Sequence, residues 1–167
     1  MITSCALTLM SDSMEVLTPE SYRELLFEPH SHALRYFERS SERKTSDEAD
    51  CVTSFGMAML ESARNLGLEL SVSIVSSDVT FRIRVGLQFL FERDLKLSRE
   101  VYSDFLSEVA LPAVMPIATT WVLQEIATVQ PDAFVEVPFT DAYPFLSEQI
   151  RAQVHEIAAN EQPTASS

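Results

Sequence analysis

The order of the predicted elements assigns the chain to the α+β class, because strands fill its first half and helices its second. Two patterns carry this prediction. Apolar and polar residues alternate along residues 68–74 and 81–91, which is the period of a half-buried strand. Residues 116–129 form a mostly apolar segment whose one charged residue is Glu125, as expected for a buried helix.

The two alternating segments predict an antiparallel hairpin at the centre of the chain. The turn Ser76-Ser77-Asp78 joins them, and hairpins commonly use turns of this length. Residues 52–63 suit either a strand or a helix, and the alternation of Phe and Met there favours a strand. Residues 33–39 are a candidate for one more strand. Residues 40–50 are polar and without periodicity, so they predict a loop.

Capping residues and prolines predict where the helices begin and end. Thr18, followed by a proline, predicts the start of a short helix over about residues 18–27. Ser98 predicts the start of a second helix, which Pro112 and Pro116 are expected to interrupt before residues 116–129 form the next. The last predicted elements are an extended piece at residues 134–138 and a C-terminal helix at about residues 144–159.

The length of 167 residues predicts a single domain. We expect a flexible leader over residues 1–17, one domain over residues 18–159 and a disordered tail over residues 160–167. The first residues contain a short apolar run without a basic flank or a clear cleavage site. We therefore expect a cytoplasmic protein.

The net charge of the chain restricts the classes of molecule that it is expected to bind. Its 12 Lys and Arg against 25 Asp and Glu give a net charge of −13, which repels phosphate backbones and disfavours nucleic acid. Basic surfaces, or apolar segments with basic residues, are favoured instead. Gly56, Gly67 and Gly86 are all the glycines present, too few and too far apart for a phosphate-binding loop. The standard nucleotide-binding loops are excluded.

The sequence contains little that predicts catalysis. His30 and His32 form an HxH pair, but with Cys51 they make at most a partial zinc site, so an exposed polar turn is favoured. The sequence contains no nucleophile motif of the GxSxG or cysteine type. We expect a protein that is not an enzyme and that needs no cofactor and no metal.

Aromatic and methionine side chains are the candidate binding residues. Aromatics near Pro131, Pro138 and Pro144 lie where the chain is expected to be irregular, and such residues can line a groove for apolar peptide. Methionine adapts its shape to different apolar partners. Burial in the core is the competing interpretation for all of them. The candidate peptide-binding residues are Phe139, Tyr143, Phe134, Trp121, Met57 and Met59.

Three segments together resemble the SecB family of protein-export chaperones: VTFRIRVGLQFLFERD, ALPAVMPIATTWVLQEI and VEVPFTDAY. The family has a strand of the type F-x-V-x-x-x-G-x-F, then a helix start with two prolines, then a loop that ends near N-F-D-A-L-Y. Gly86 stands at a place similar to that of the strand glycine, Pro112 and Pro116 match the prolines with one residue fewer between them, and residues 139–143 match the late motif. The chain resembles a divergent, SecB-like member.

This resemblance implies a sheet of about four antiparallel strands with the C-terminal helices packed on one side. It also implies dimers that pair into tetramers, an apolar groove for unfolded or pre-secretory polypeptides, and an acidic surface that docks the translocase motor ATPase. Two alternatives stay open. One is a dedicated partner-binding module, such as an antitoxin-side chaperone, and the other is a small-ligand-binding or hotdog-like protein.

Overall fold

A computed structural model of the chain describes residues 16–43, 52–75, 79–129 and 139–161. Within them, a four-stranded antiparallel sheet precedes and packs against a layer of helices, so the α+β prediction is confirmed. The strands are β1 (His30–Arg43), β2 (Val52–Ser62), β3 (Asn65–Val75) and β4 (Val79–Phe91). The helices are α1 (Tyr22–Leu25), α2 (Arg99–Phe105), α3 (Leu111–Val129) and α4 (Phe139–Glu161), with a π-helical turn, Leu106–Ala110, between α2 and α3.

The predicted hairpin forms the centre of the sheet. The strand order is β1-β4-β3-β2, so β3 and β4 lie inside and β1 and β2 lie at the two edges. The face of the sheet toward the helices is called the inner face, and the opposite one the outer face. The alternation seen in the sequence points one set of side chains inward, as expected for strands with one buried face. The buried inner-face residues are Leu66, Leu68, Leu70, Val72, Ile74, Phe81, Ile83, Val85, Leu87, Phe89 and Phe91.

β1 is longer than the predicted strand at residues 33–39. The polar turn expected at His30 and His32 is wrong, since β1 begins there and His32 lies edge-on against Phe89, with ring centroids 4.9 Å apart. The loop expected from residue 40 is also wrong as far as residue 43. The reason is β4, which offers backbone partners from its first residue to its last, so that β1 pairs along its whole length. The prediction of a strand at residues 52–63 is confirmed by β2.

α1 is shorter than expected and has a different cap. Leu17 is held in extended conformation by backbone hydrogen bonds to Asp94 and Lys96, so no helix begins at Thr18. The Oγ of Ser21 instead accepts a hydrogen bond from the backbone N–H of Arg23, at 3.3 Å, and the helix begins at the next residue.

The helix that begins after Ser98 continues through both prolines, contrary to expectation. The Ser98 side chain caps it as predicted, at 3.2 Å from the Val101 backbone N. A proline at position i lacks the N–H that would bond to residue i−4. For Pro112 that acceptor is Glu108, inside the π-helical turn, where the wider winding already departs from the α pattern. Pro116 also lies inside α3, where it leaves the carbonyl of Pro112 without a backbone donor.

α3 crosses the inner face over β4 and β3, and this packing accounts for its apolar composition. One side of it is buried, namely Leu111, Val114, Met115, Ala118, Val122, Glu125 and Ile126. Among the described residues, one helical run, Arg99–Val129, is long and apolar enough by composition alone to cross a membrane. Of its most apolar stretch, 44% is buried inside the fold.

α4 begins five residues earlier than the predicted start at Pro144 and runs beside α2 and the π-helical turn. Phe139 and Tyr143 therefore lie in a helix and not in an irregular segment, contrary to expectation. Pro144, the sixth residue of α4, lies inside the helix and leaves the carbonyl of Thr140 without a backbone donor. The predicted extended piece at residues 134–138 lies outside the described residues.

Candidate functional site

The inner face of β2 carries a row of apolar side chains that the helices cover only in part. Phe55, Met57 and Met59 alternate along the strand and are half-buried. They extend the buried rows of β3, with Met57 opposite Leu70 in register. From Phe55 to Met59 the row spans about 14 Å, at about 3.4 Å per residue. We call these three residues the apolar strip.

At one end the apolar strip opens into a depression between β2 and the helices α2 and α4, with a volume of about 330 Å³. Its walls are largely apolar, and it is called the β2–α4 groove. The lining residues are Met59, Glu61, Arg99, Tyr102, Val154 and Ile157. Ile157 is 41% exposed, so the groove is open to solvent on the α4 side.

The charges in the β2–α4 groove are balanced. Arg99 Nη1 lies 2.5 Å from Glu61 Oε2, an ion pair that joins the first turn of α2 to β2. Burial, reinforced by the nearby Glu61 carboxylate, raises the pKa of Tyr102, whose hydroxyl therefore stays neutral at physiological pH. An apolar side chain entering the groove would displace water without meeting an unpaired charge on its lining.

Trp121 lies at the opposite edge of the inner face. Its ring stacks on that of Tyr36 in β1, with centroids 3.7 Å apart and planes 7° from parallel. Next to it on α3, the buried Glu125 carboxylate forms an ion pair with Arg39 of β1. β4 and β3 lie between β1 and β2, so three strand spacings, about 14 Å, separate this pair from the apolar strip. The structure does not bring Trp121 together with Met57 and Met59.

Tyr143 joins α4 to the π-helical turn. Its hydroxyl donates a hydrogen bond to the backbone carbonyl of Ser107, at 3.0 Å, and its ring is half-buried against the core. Burial, and then the Glu108 carboxylate, raise the pKa of Tyr143. Phe139 is the first residue of α4, and its side chain lies outside the described part of the chain, as does all of Phe134.

Sequence reasoning missed the helical wall of the β2–α4 groove. Leu146, Ile150 and Val154 recur every four residues along α4 and are buried, which is the pattern of a core-facing helix. Ile157 continues the same face one turn beyond the covered part. This spacing of apolar residues is visible in the sequence and could have predicted the buried face of α4. Nothing in the sequence indicated that this turn of α4 would meet β2, almost a hundred residues earlier.

No metal site is found among the residues that the structure describes, where no group of three or more His, Cys, Asp or Glu side chains could hold an ion. His30 and His32 share the inner face of β1 and contact each other and phenylalanine rings of β4. Cys51, the third residue of the partial zinc set, lies outside the described residues.

Comparison with known proteins supports the same architecture. No family model and no curated protein sequence matches the chain. Among solved structures, the SecB-like chaperone Rv1957 of Mycobacterium tuberculosis, in complex with a ChAD peptide from the Rv1956 HigA1 antitoxin, is similar. Its TM-score is 0.54 at 12% identity, over 70% of this chain and 91% of that one. The chain has a SecB-like fold.

A second solved structure, a protein of unknown function from Streptococcus agalactiae, has a TM-score of 0.37 at 10% identity. The similarity covers 65% of this chain and 98% of the Streptococcus agalactiae chain. The SecB-like fold, which rests on the Rv1957 structure alone, agrees with the resemblance drawn from the segments around Gly86 and Pro112.

Proposed function

We propose that this chain is a SecB-like chaperone that binds unfolded or nascent polypeptides at the apolar strip and the β2–α4 groove. The observation that carries the proposal is the partial cover of Phe55, Met57 and Met59, which continue the core of the sheet to an edge where no described helix makes extensive contact. Two of the three are methionines, whose flexible thioethers pack against varied apolar side chains. The SecB-like neighbour, which was solved with an antitoxin peptide, supports a peptide-binding role.

The proposed clients are apolar segments flanked by basic residues, because the net charge of −13 attracts them and repels acidic chains. An antitoxin segment is the second candidate client, which the peptide bound in the Rv1957 complex supports. We further propose that the protein is cytoplasmic, is not an enzyme, and forms dimers or tetramers. Delivery of clients to the translocase motor ATPase through an acidic surface completes the proposal and rests on the family resemblance.

The test is binding of a permanently unfolded, reduced and carboxymethylated client protein, measured by calorimetry. Ile157→Asp introduces a charge into the open side of the β2–α4 groove. We expect it to weaken binding by about 1–3 kcal/mol, or roughly 5- to 150-fold, in the range of interface anchors. Leu123→Asp is the matched control, since Leu123 is also exposed, at 47%, but lies on α3 away from the groove. Equal affinity of the two variants and wild type would reject this surface, and a wild type that binds no client would reject the chaperone function.

Phe139 and Tyr143 remain proposed client contacts and are tested in the same assay. Tyr143→Phe removes the hydrogen bond to Ser107 and keeps the ring, whereas Tyr143→Asp removes both the ring and its apolar character. If the ring contacts the client, binding falls in Tyr143→Asp and persists in Tyr143→Phe, with folding confirmed by circular dichroism. Phe139→Asp is compared in parallel. Folded variants that hold the client as tightly as wild type would remove these residues from the site.

A further inference from the structure

The two edges of the sheet differ in how well they are protected against pairing with another strand. An edge strand presents unpaired N–H and C=O groups, and proteins usually guard such an edge with charges, prolines or bulges. β1 follows this rule. It carries five charged residues in fourteen, and a bulge between Tyr36 and Glu38 breaks its regular register.

β2 has none of these guards over most of its length. Residues 52–60, VTSFGMAML, contain no charged residue and no proline. The pairing of β2 with β3 runs from Val52↔Val75 to Ser62↔Asn65 without a register shift, so the strand is regular and has no bulge. Among the described elements, β3 is the only one that makes extensive contact with β2. Among the described strands, none pairs with the other backbone edge of β2, which is a regular hydrogen-bonding template about nine residues long.

The side chains around this edge determine what kind of strand would fit. A strand added to β2 would alternate its side chains between the two faces of the sheet. The side chains of the added strand on the inner face would lie beside the apolar strip and reach toward Ile157. Apolar side chains therefore fit on this face. On the outer face, β2 presents Gly56 and Ala58 between the exposed side chains of Val52 and Leu60, so small, uncharged residues fit there.

We propose that β2 accepts an extended segment of the client as a fifth strand of the sheet. The proposal rests on the proposed chaperone function and adds the mode of binding. The partner is an uncharged polypeptide segment in which apolar residues alternate with small polar ones, held by main-chain hydrogen bonds to β2 and by side-chain contacts with the apolar strip. Such main-chain pairing tolerates many sequences, as a chaperone requires, because it reads the backbone and only every second side chain.

The test uses a fluorescent synthetic peptide of about ten residues, in which valine alternates with threonine between terminal lysines. Two derivatives carry N-methyl groups on alternate backbone amides, one on the odd positions and one on the even positions. In a paired strand, alternate N–H groups point toward the partner, so only one derivative loses those hydrogen bonds. We expect that derivative to bind about tenfold more weakly or worse, and the other to bind like the parent in fluorescence anisotropy.

The outcomes separate the mode of binding from the function. If both derivatives bind as tightly as the parent, edge pairing is wrong and side-chain contacts alone explain binding, which leaves the chaperone function intact. If the parent peptide and the unfolded client protein both fail to bind, the proposed chaperone function and the proposed strand pairing are both wrong. Binding of the client protein with failure of the parent peptide would overturn the pairing alone.

Variants of the protein locate the edge that is used. Met57→Lys places a charge on the inner face of β2, and Leu34→Lys places one on the same face of β1, at a more exposed position. We expect Met57→Lys to weaken peptide binding at least tenfold and Leu34→Lys to leave it unchanged, with both folds checked by circular dichroism. The reverse order would overturn the assignment to β2. If sedimentation instead shows a dimer that Met57→Lys dissociates, a second copy of the chain occupies this edge and the proposal is wrong.

Discussion

Tyr36 and Trp121 stack face to face, with ring centroids 3.7 Å apart, although they are 85 residues apart in the chain. The contact joins the exposed edge strand β1 to α3, which otherwise packs mainly on β4 and β3. One face of Trp121 is therefore covered by the protein's own β1. With the neighbouring Arg39–Glu125 ion pair, the stack fastens β1 to the helical layer.

We expect Tyr36→Ala to lower the free energy of unfolding by about 1–2 kcal/mol, since a stacked aromatic pair contributes about 0.5–1.5 kcal/mol beyond the area it buries. Trp121 is the sole tryptophan of the chain, so its emission reports on the same contact and should shift to longer wavelength. Tyr36→Phe keeps the stack and should behave as wild type in both measurements. An unchanged emission spectrum in Tyr36→Ala would contradict the stacked geometry.

The Arg39–Glu125 pair should respond asymmetrically to substitution. Glu125 is 8% exposed, so Arg39→Met leaves a buried carboxylate without its partner and should cost about 1–3 kcal/mol in urea unfolding. Glu125→Gln should cost less, because the half-exposed Arg39 guanidinium can be hydrated. Replacing both residues by Met should recover much of the loss. Equal costs for the two single variants would show that Glu125 is not buried by this contact.

Gly67 and Gly86 should differ in their tolerance of alanine. A Cβ at Gly67 would lie 2.9 Å from the backbone carbonyl oxygen of Leu87 in the central strand β4, which cannot move freely. A Cβ at Gly86 would lie 2.8 Å from Cε2 of Phe37, a side chain that is 44% exposed and can swing away. We expect about 1–3 kcal/mol of destabilisation for Gly67→Ala and less than about 1 kcal/mol for Gly86→Ala.

The control for this pair is the double variant Gly86→Ala, Phe37→Ala. Removing the Phe37 ring removes the clash, so the double variant should be no less stable than Phe37→Ala alone in thermal unfolding. If the double variant is clearly less stable than Phe37→Ala, the cost of Gly86→Ala comes from the backbone and not from a clash with the Phe37 ring.

Stability should decline at alkaline pH because of Tyr102. Burial raises the pKa of this phenol above its ordinary value of 10.0, so the unfolded chain loses the proton first. The stability of the neutral, buried phenol is fully present below pH 10 and is lost as the pH rises above it. Tyr102→Phe, which cannot ionise, should show a shallower decline above pH 10 in urea unfolding. An identical decline in the two proteins would assign it to other groups.

The alternation of apolar residues was sufficient to predict β3 and β4 and favoured a strand over a helix for β2, because each of these strands directs one row of side chains to the core. β1 was only partly predicted, as residues 33–39, for the opposite reason. It lies at an edge, most of its side chains are exposed on both faces, and charged residues interrupt the pattern. Backbone pairing with β4 extends β1 beyond residues 33–39 in both directions. Such pairing does not depend on side chains, so the amino-acid composition does not predict it.

The helices contradict the expectation that a proline ends a helix or marks its start. Pro112, Pro116 and Pro144 were expected to end or begin helices, yet all three lie inside helical runs. Pro112 follows a π-helical turn, where the winding already departs from the α pattern, whereas Pro116 and Pro144 lie within α3 and α4. For the candidate site, β2 periodicity identified Met57 and Met59. That Met59 lines the same groove as Ile157 depends on tertiary packing, which no local pattern specifies.

The strand order β1-β4-β3-β2 has a consequence for how the chain reaches its native state. β2, β3 and β4 are joined in succession, so each pairs with a strand that follows it closely in sequence. β1 pairs with β4 instead, and contacts such as Arg35↔Gly86 close a loop of about fifty residues. Because distant contacts are entropically expensive, the three-stranded meander should assemble first and β1 should dock last. Substitutions on β1 should then accelerate unfolding and leave the refolding rate nearly unchanged.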